Sequence, residues 1–261
     1  MNVGGNMAEN ALESVDKVLK LLMFFKEGHP IRVTDVGNRL GVARSTAHRL
    51  LSTLERRGFV IQDPTTRSYL VGDALVGFAA AGERDRALAR AARPLLDELA
   101  ARLRETIHVT TLDGMWVTFV ACAESPESLR TGKHLGSRFP AYSTAAGKAL
   151  LGELRMTTLR KLYADHCWNE IATNTRNWNK LLTELEAVRR RGYATNFAET
   201  EPGVTGIASP IKDARGCFGA LLMTAPATRV RRRDAEARGA QLIVAARRIA
   251  ANMADDTTEP G

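Results

Sequence analysis

Apolar residues recur at helical spacing through residues 12–27, where Val15, Val18, Leu19, Leu22 and Phe25 form a stripe and Gly28 ends it. Thr34 is placed to N-cap a short helix that carries Val36 and Leu40 and closes at Gly41. The next segment, "GVARSTAHRLLSTLERRGF" at 41–59, carries two stripes. Ala47, Leu50, Leu51 and Leu54 fall at i, i+3, i+4 and i+7, which predicts a helix packed on the first two. Ser45, His48, Arg49 and Ser52 repeat that spacing two residues out of step, about 200° round the helix, so they face away from the core. Arg56 extends this outer stripe. After Gly58, "FVIQD" and "SYLV" read as short strands around the turn "DPTT". Three helices and a hairpin fill residues 10–72.

From Gly72 to Glu105 the pattern is helical again, with Leu88, Ala92, Leu95, Leu96, Leu99 and Leu103 on one stripe, and Pro94 predicts a kink or a restart. This places a linker helix over 73–85 and a second domain over 86–255. Within that domain "TIHVTTLDG" and "MWVTFVACAE" pair through Asp113-Gly114. Helical patterns follow near 145–163 and 178–191. "GYATNFAE", "GIASPIKD" and "CFGALLMTA" then read as strands, with "DARG" as the turn between the last two. A final helix runs from Arg232 to Met253. Strands and helices mixed in this way predict an α+β fold with an antiparallel sheet. Trp116, Phe119 and Met223 read as core, and Met115 fits core or ligand contact. The "RVRRRDAEAR" run at 229–238 reads as the solvated start of the last helix.

A chain of 261 residues is long for one small domain, which agrees with this division. The net charge of +8 favours an anionic partner, and the charge is uneven. Between Arg39 and Tyr69 six arginines stand against only Glu55 and Asp63, a balance of +4. Cys122, Cys167 and Cys217 form no CxxC pair, and His108 and His134 have no companion at ligand spacing, so no metal site is expected. "MNVGGNMAEN" lacks the apolar run of a secretory signal, and no stretch approaches the ~20 apolar residues of a membrane span, so the cytoplasm is the expected location. "AAGKAL" is not a phosphate-binding loop, Gly203 and Gly206 lack the third glycine of a dinucleotide fingerprint, and HExxH and GxSxG do not occur. Neither a cofactor nor catalysis is expected. An enzyme domain with a DNA-binding appendage is the competing reading, and an architectural DNA binder the third.

The segments "RVTDVGNRLGVARSTAHRLLSTLERRGFV" with "SYLVGDAL", "GSRFPAYSTAAGKALLG" at 136–152, and "RRRGYATNFAETEPGVTGIASPIKDARG" at 189–216 carry a further signal. Together they resemble the IclR family of bacterial transcription regulators over nearly all of residues 12–250. The resemblance implies an N-terminal winged helix-turn-helix, a helical linker and a C-terminal GAF-like α+β effector-binding domain. It also implies homodimers, often dimers of dimers, that read palindromic double-stranded operator DNA under the control of a small molecule. On this basis Arg44, Ser45, Thr46, His48 and Arg49 meet DNA from the third helix. Thr34 touches the backbone, Arg67 reaches out from the wing, and Tyr69 packs at the hairpin base. Effector contacts fall on Ala145, Ala146, Asn196, Gly206, Leu222 and Thr224. In the glyoxylate- and pyruvate-sensing members the positions equivalent to Asn196, Gly206 and Leu222 carry aspartate, cysteine and serine. The exchange removes a carboxylate and adds room and apolar surface, so the resemblance implies a larger organic effector, an aromatic compound or acid. A repressor of a catabolic operon is the expected role; an activator sensing a short oxo acid is the alternative.

Overall fold

A computed structural model describes residues 12–164 and 177–255, which leaves Cys167 and the "MNVGGNMAEN" segment outside the described residues. The chain divides into two compact units, one through Gly82 and the other from Glu83. The first contains α1 (Glu13–Phe24), α2 (Val33–Leu40), α3 (Arg44–Arg56) and the antiparallel hairpin β1 (Val60–Gln62) and β2 (Tyr69–Val71). Its core is Leu21, Phe25, Ile31, Val36, Ala47, Leu51, Leu54, Val60 and Tyr69. Ile31 exchanges backbone hydrogen bonds with Tyr69 and so extends the hairpin by one bridge.

In the first unit two local expectations differ from the structure. The stripe expected on α1 is only partly the buried one: Phe25 is buried and Val18 and Leu22 pack against the core, but Val15 and Leu19 are exposed and Leu21 is the residue fully enclosed. The apolar arc of α1 is wider than the face its neighbours cover, so spacing alone could not choose among its edges. Thr34 is not the N-cap of α2. The helix begins at Val33, and the Asp35 carboxylate accepts from the Arg32 N–H at 2.9 Å. Asp35 has the longer reach back and the charge that a helix N-terminus favours. Gly41 ends the helix in the left-handed conformation, φ +63°.

α4 (Asp73–Leu103) is one helix, unbroken at Pro94. The proline is exposed between buried Ala92 and Leu95. The stripe of leucines therefore packs inward while the ring stays on the solvent side. The second unit holds a six-stranded antiparallel sheet in the order β5-β4-β3-β8-β7-β6. The strands are β3 (Thr106–Asp113), β4 (Trp116–Ala123), β5 (Arg138–Pro140), β6 (Ala194–Phe197), β7 (Val204–Asp213) and β8 (Gly216–Pro226). One face packs Ile107, Val109, Leu221 and Met223 against Leu96 and Leu99 of α4 and against Leu242 and Ile249 of α8 (Ala235–Asp255). The other face is covered by α5 (Ala145–Glu153), α6 (Met156–Ala164) and α7 (Asn177–Arg191). The helical stretch near 145–163 is thus two helices, and β5 is an edge strand too short to show alternation. Trp116, expected in the core, is 42% exposed. It sits at the hairpin tip beside the Arg138 guanidinium rather than between layers. Arg229 is not on a solvated helix start. It precedes α8 and pairs with the buried Glu105 carboxylate at 2.7 and 2.6 Å.

Candidate functional site

In the first unit, α3 turns Ala47, Leu51 and Leu54 inward, which leaves Arg44, Ser45, His48 and Arg49 exposed and Thr46 half-buried. His48 Nδ1 lies 3.4 Å from Ser52 Oγ, so the outer stripe is partly tied along its own length. No side chain caps α3 at Ala43, so its first N–H groups and the positive end of its dipole are open to an anion. Thr34 is exposed, with its hydroxyl donating to Asp35 at 3.4 Å. Arg67 is exposed at the wing tip with φ +57°. That backbone is held by the Asp63 carboxylate, which accepts from the Thr65 N–H at 2.8 Å and the Thr66 hydroxyl at 2.9 Å. Of the six arginines counted in the sequence, Arg39 is occupied: it pairs with Glu27 and lies over the Phe24 ring at 3.8 Å. Arg44, Arg49 and Arg67 have no ion pair among the described residues.

The second unit contains a cavity of about 460 Å³, mouth included. Its floor is a row across the sheet: Asn196 on β6 pairs with Gly206 on β7, which pairs with Thr224 on β8. Leu222, two residues back along β8 and on the same face as Thr224, sits beside them. One wall is Thr144 and Ala145, the N-cap and first residue of α5. A second is aromatic, built from Phe119, Phe139 and His134, whose rings lie 5.4–5.6 Å apart. Thr200, Glu201 and Val204, between β6 and β7 and at the start of β7, form the third. The structure therefore brings Ala145, Asn196, Gly206, Leu222 and Thr224 together and leaves Ala146 out of the lining, buried in the core behind it.

Two of these positions behave differently from a simple contact residue. Asn196 Nδ2 donates to the Ser143 carbonyl and to Thr200 Oγ1, and its Oδ1 accepts from the Glu199 N–H. Its amide is a strut between floor and wall, with its donors already engaged. The room expected at Gly206 is also partly filled, since a methyl group there meets Ala145 Cβ at 3.3 Å and Leu222 Cδ1 at 3.5 Å. Lys148, only 2% exposed, is held by Glu184 at 2.7 Å and Glu199 at 2.5 Å, which fixes the Thr200–Glu201 wall to α5. The small residues of "TAAGKAL" are explained by packing: a Cβ on Gly147 falls 2.0 Å from the Ala141 carbonyl oxygen.

Phe119 was expected as core and is both buried and part of the lining. His134 and Phe139 escaped the sequence reading as lining residues. The available signal was on β3, where Thr106, His108 and Thr110 alternate as buried polar residues in a central strand. Polar groups enclosed that way need partners, and His108 finds its partner in the lining residue Thr224. Burial, with the charge of His134 adding to it, pushes the His108 imidazole down to about 3, so it is neutral.

A winged helix-turn-helix followed by an α+β domain with a pocket lined by aromatic, apolar and hydroxyl groups defines a regulator that couples DNA recognition to a small molecule. The family model described as bacterial transcriptional regulator IclR C-terminal matches residues 83–251, and the IclR helix-turn-helix domain matches residues 14–64. The chain belongs to the IclR family of transcriptional regulators. It is 31% identical to the HTH-type transcriptional regulator BhcR of Paracoccus denitrificans over 255 residues, covering 96% of this chain and 91% of that one. The crystal structure of the Thermotoga maritima IclR shares the fold at 24% identity and a TM-score of 0.60, covering 93% and 99% of the two chains. An IclR homologue from Microbacterium hydrocarbonoxydans, solved in complex with 4-hydroxybenzoate, shares it at 21% identity and a TM-score of 0.59, covering 94% and 99%.

Proposed function

We propose that the protein is a ligand-responsive repressor of a catabolic operon. In this reading it binds double-stranded operator DNA as a homodimer and takes a small aromatic acid in the cavity of its second unit. The observation that carries the effector class is the lining. An aromatic wall faces a floor of Gly206, Leu222 and Thr224, and the N-terminus of α5 adds a partial positive charge beside it. A flat apolar body with one anionic end satisfies both. The 4-hydroxybenzoate complex of the Microbacterium homologue supports the same class.

On the DNA side, Arg44, Ser45, Thr46, His48 and Arg49 enter the major groove, Thr34 meets the backbone and Arg67 reaches a flanking phosphate. Effector binding releases DNA by favouring the arrangement of the dimer that does not fit the operator. The two described cysteines are not set up for covalent catalysis. Burial pushes the Cys217 thiol up to about 11, with Glu153 adding to it, and does the same to Cys122 beside Glu124, so neither is a ready nucleophile at neutral pH. Among the described residues no helix is long and apolar enough to cross a membrane.

A thermal-shift screen of aromatic acids, short oxo acids and sugar acids, followed by an operator-shift assay with each hit, tests the proposal. Stabilisation by an aromatic acid with release of operator DNA is the expected result. Stabilisation by glyoxylate or pyruvate alone overturns the effector class, turnover of a hit overturns the regulator reading, and tighter operator binding with effector reverses the sign.

A further inference from the structure

Behind the cavity floor stands a buried polar chain that the lining does not account for. The His108 ring on β3 is fully enclosed and stands edge-on to Phe119, with 5.1 Å between ring centroids. Its Nε2 is 3.1 Å from Thr224 Oγ1, and its Nδ1 has no hydrogen-bond partner among the described residues. Thr224 Oγ1 is also 2.7 Å from Thr131 Oγ1, and the Thr131 hydroxyl reaches the Thr224 carbonyl at 3.2 Å. Of these three side chains, Thr224 is the one that lines the cavity.

Counting hydrogens fixes the directions. A neutral imidazole has a single N–H. On Nδ1 it becomes a buried donor with no acceptor, which costs more than an unfilled lone pair. The hydrogen therefore belongs on Nε2, which donates to Thr224 Oγ1. When Thr131 turns its hydroxyl from the Thr224 carbonyl to Oγ1, both lone pairs of that oxygen are filled, and the Thr224 hydrogen is left to point into the cavity. We propose that His108 is a positioning residue that, by filling a lone pair of Thr224 Oγ1, turns this hydroxyl into a hydrogen-bond donor toward the effector. The cavity then selects an acceptor oxygen, such as a carboxylate, at that end; the inference rests on reading the cavity as the effector site.

The test compares two probes on the full-length protein: benzoate, whose only polar group is an acceptor carboxylate, and toluene, which has none. His108→Phe is expected to weaken benzoate about tenfold, as for one lost hydrogen bond to a charged group, and to leave toluene within about twofold. Thr224→Val does the same, and the double variant is no weaker than either single one. His108→Gln, which keeps an N–H at the end of the side chain, recovers most of the benzoate affinity. Nitrogen-15 shifts of the unliganded protein place the proton on Nε2, a measurement that stands even if His108→Phe does not fold. Equal losses for both probes, additive losses in the double variant, or a proton on Nδ1 overturn the assignment. If the wild-type protein binds neither probe, the reading of the cavity falls and the assignment with it. If the wild type binds benzoate and His108→Phe binds it equally well, only the assignment falls.

Discussion

Gly147 and His108 show how much a single position decides here. A Cβ on Gly147 lies 2.0 Å from the Ala141 oxygen and 2.4 Å from its Cα, both backbone atoms that no side-chain rotation can move away. Gly147→Ala is therefore expected to lower stability by about 3 kcal/mol or more, read by urea denaturation. Gly77 in α4 is the control, because a Cβ there meets nothing within 4 Å. Its change to alanine raises stability by up to about 1 kcal/mol through helix propensity. His108 makes a prediction in pH. Its folded-state value is pushed from 6.5 down to about 3 by burial, so below 6.5 the unfolded chain takes the proton first. Stability then falls as pH falls through that window, by at most about 1.4 kcal/mol per unit from this group. His108→Phe should flatten the difference between pH 7 and pH 5 by about 2 kcal/mol in parallel denaturation series; an unchanged slope shows that the ring is not buried neutral.

At the scale of elements, what the sequence made legible was what a stripe or an alternation can encode. The inward face of α3, the leucines of α4 and the β3–β4 and β7–β8 hairpins follow from period and turn residues alone. The face of α1 did not, because its apolar residues cover more of the helix than its neighbours do. Nor did β5, whose three residues carry no period. In the cavity, Asn196 and Gly206 lie in a segment that carries the resemblance, and their strand pairing brings Thr224 into the same row. The aromatic wall was invisible because Phe119, His134 and Phe139 meet only through tertiary packing of β4 and β5. Lys148 belongs to the same class: a lysine in a helix reads as surface, yet this one is enclosed by carboxylates from α7 and the loop after β6. Lys148→Met leaves Glu184 and Glu199 facing each other without their cation. These carboxylates are 30% and 34% exposed, so solvent relieves part of the repulsion. A loss of about 2 kcal/mol in thermal unfolding is expected, below the 3–5 of a fully buried pair, with weaker effector binding because the Thr200–Glu201 wall loses its anchor.

For the molecule as a whole, the division into two compact units separates the two binding functions chemically. The first unit presents Arg44, Arg49 and Arg67, cations with no ion pair among the described residues; the second presents an open-mouthed, largely apolar cavity. Arg49→Ala is accordingly expected to abolish specific operator binding in a gel-shift assay while leaving the effector's thermal stabilisation unchanged. A variant that loses both has lost its fold, and one that loses neither removes Arg49 from the DNA-reading face. The arginines also set the salt response. In the proposed dimer the three unpaired charges of Arg44, Arg49 and Arg67 become six, and each phosphate they neutralise releases condensed counterions. The logarithm of operator affinity should then fall against the logarithm of salt with a slope of about −5, and a single-arginine variant on both protomers should reduce that slope by about 2. A flat response means that the helix binds through hydroxyls and backbone N–H groups instead, and the unpaired arginines would then need another partner.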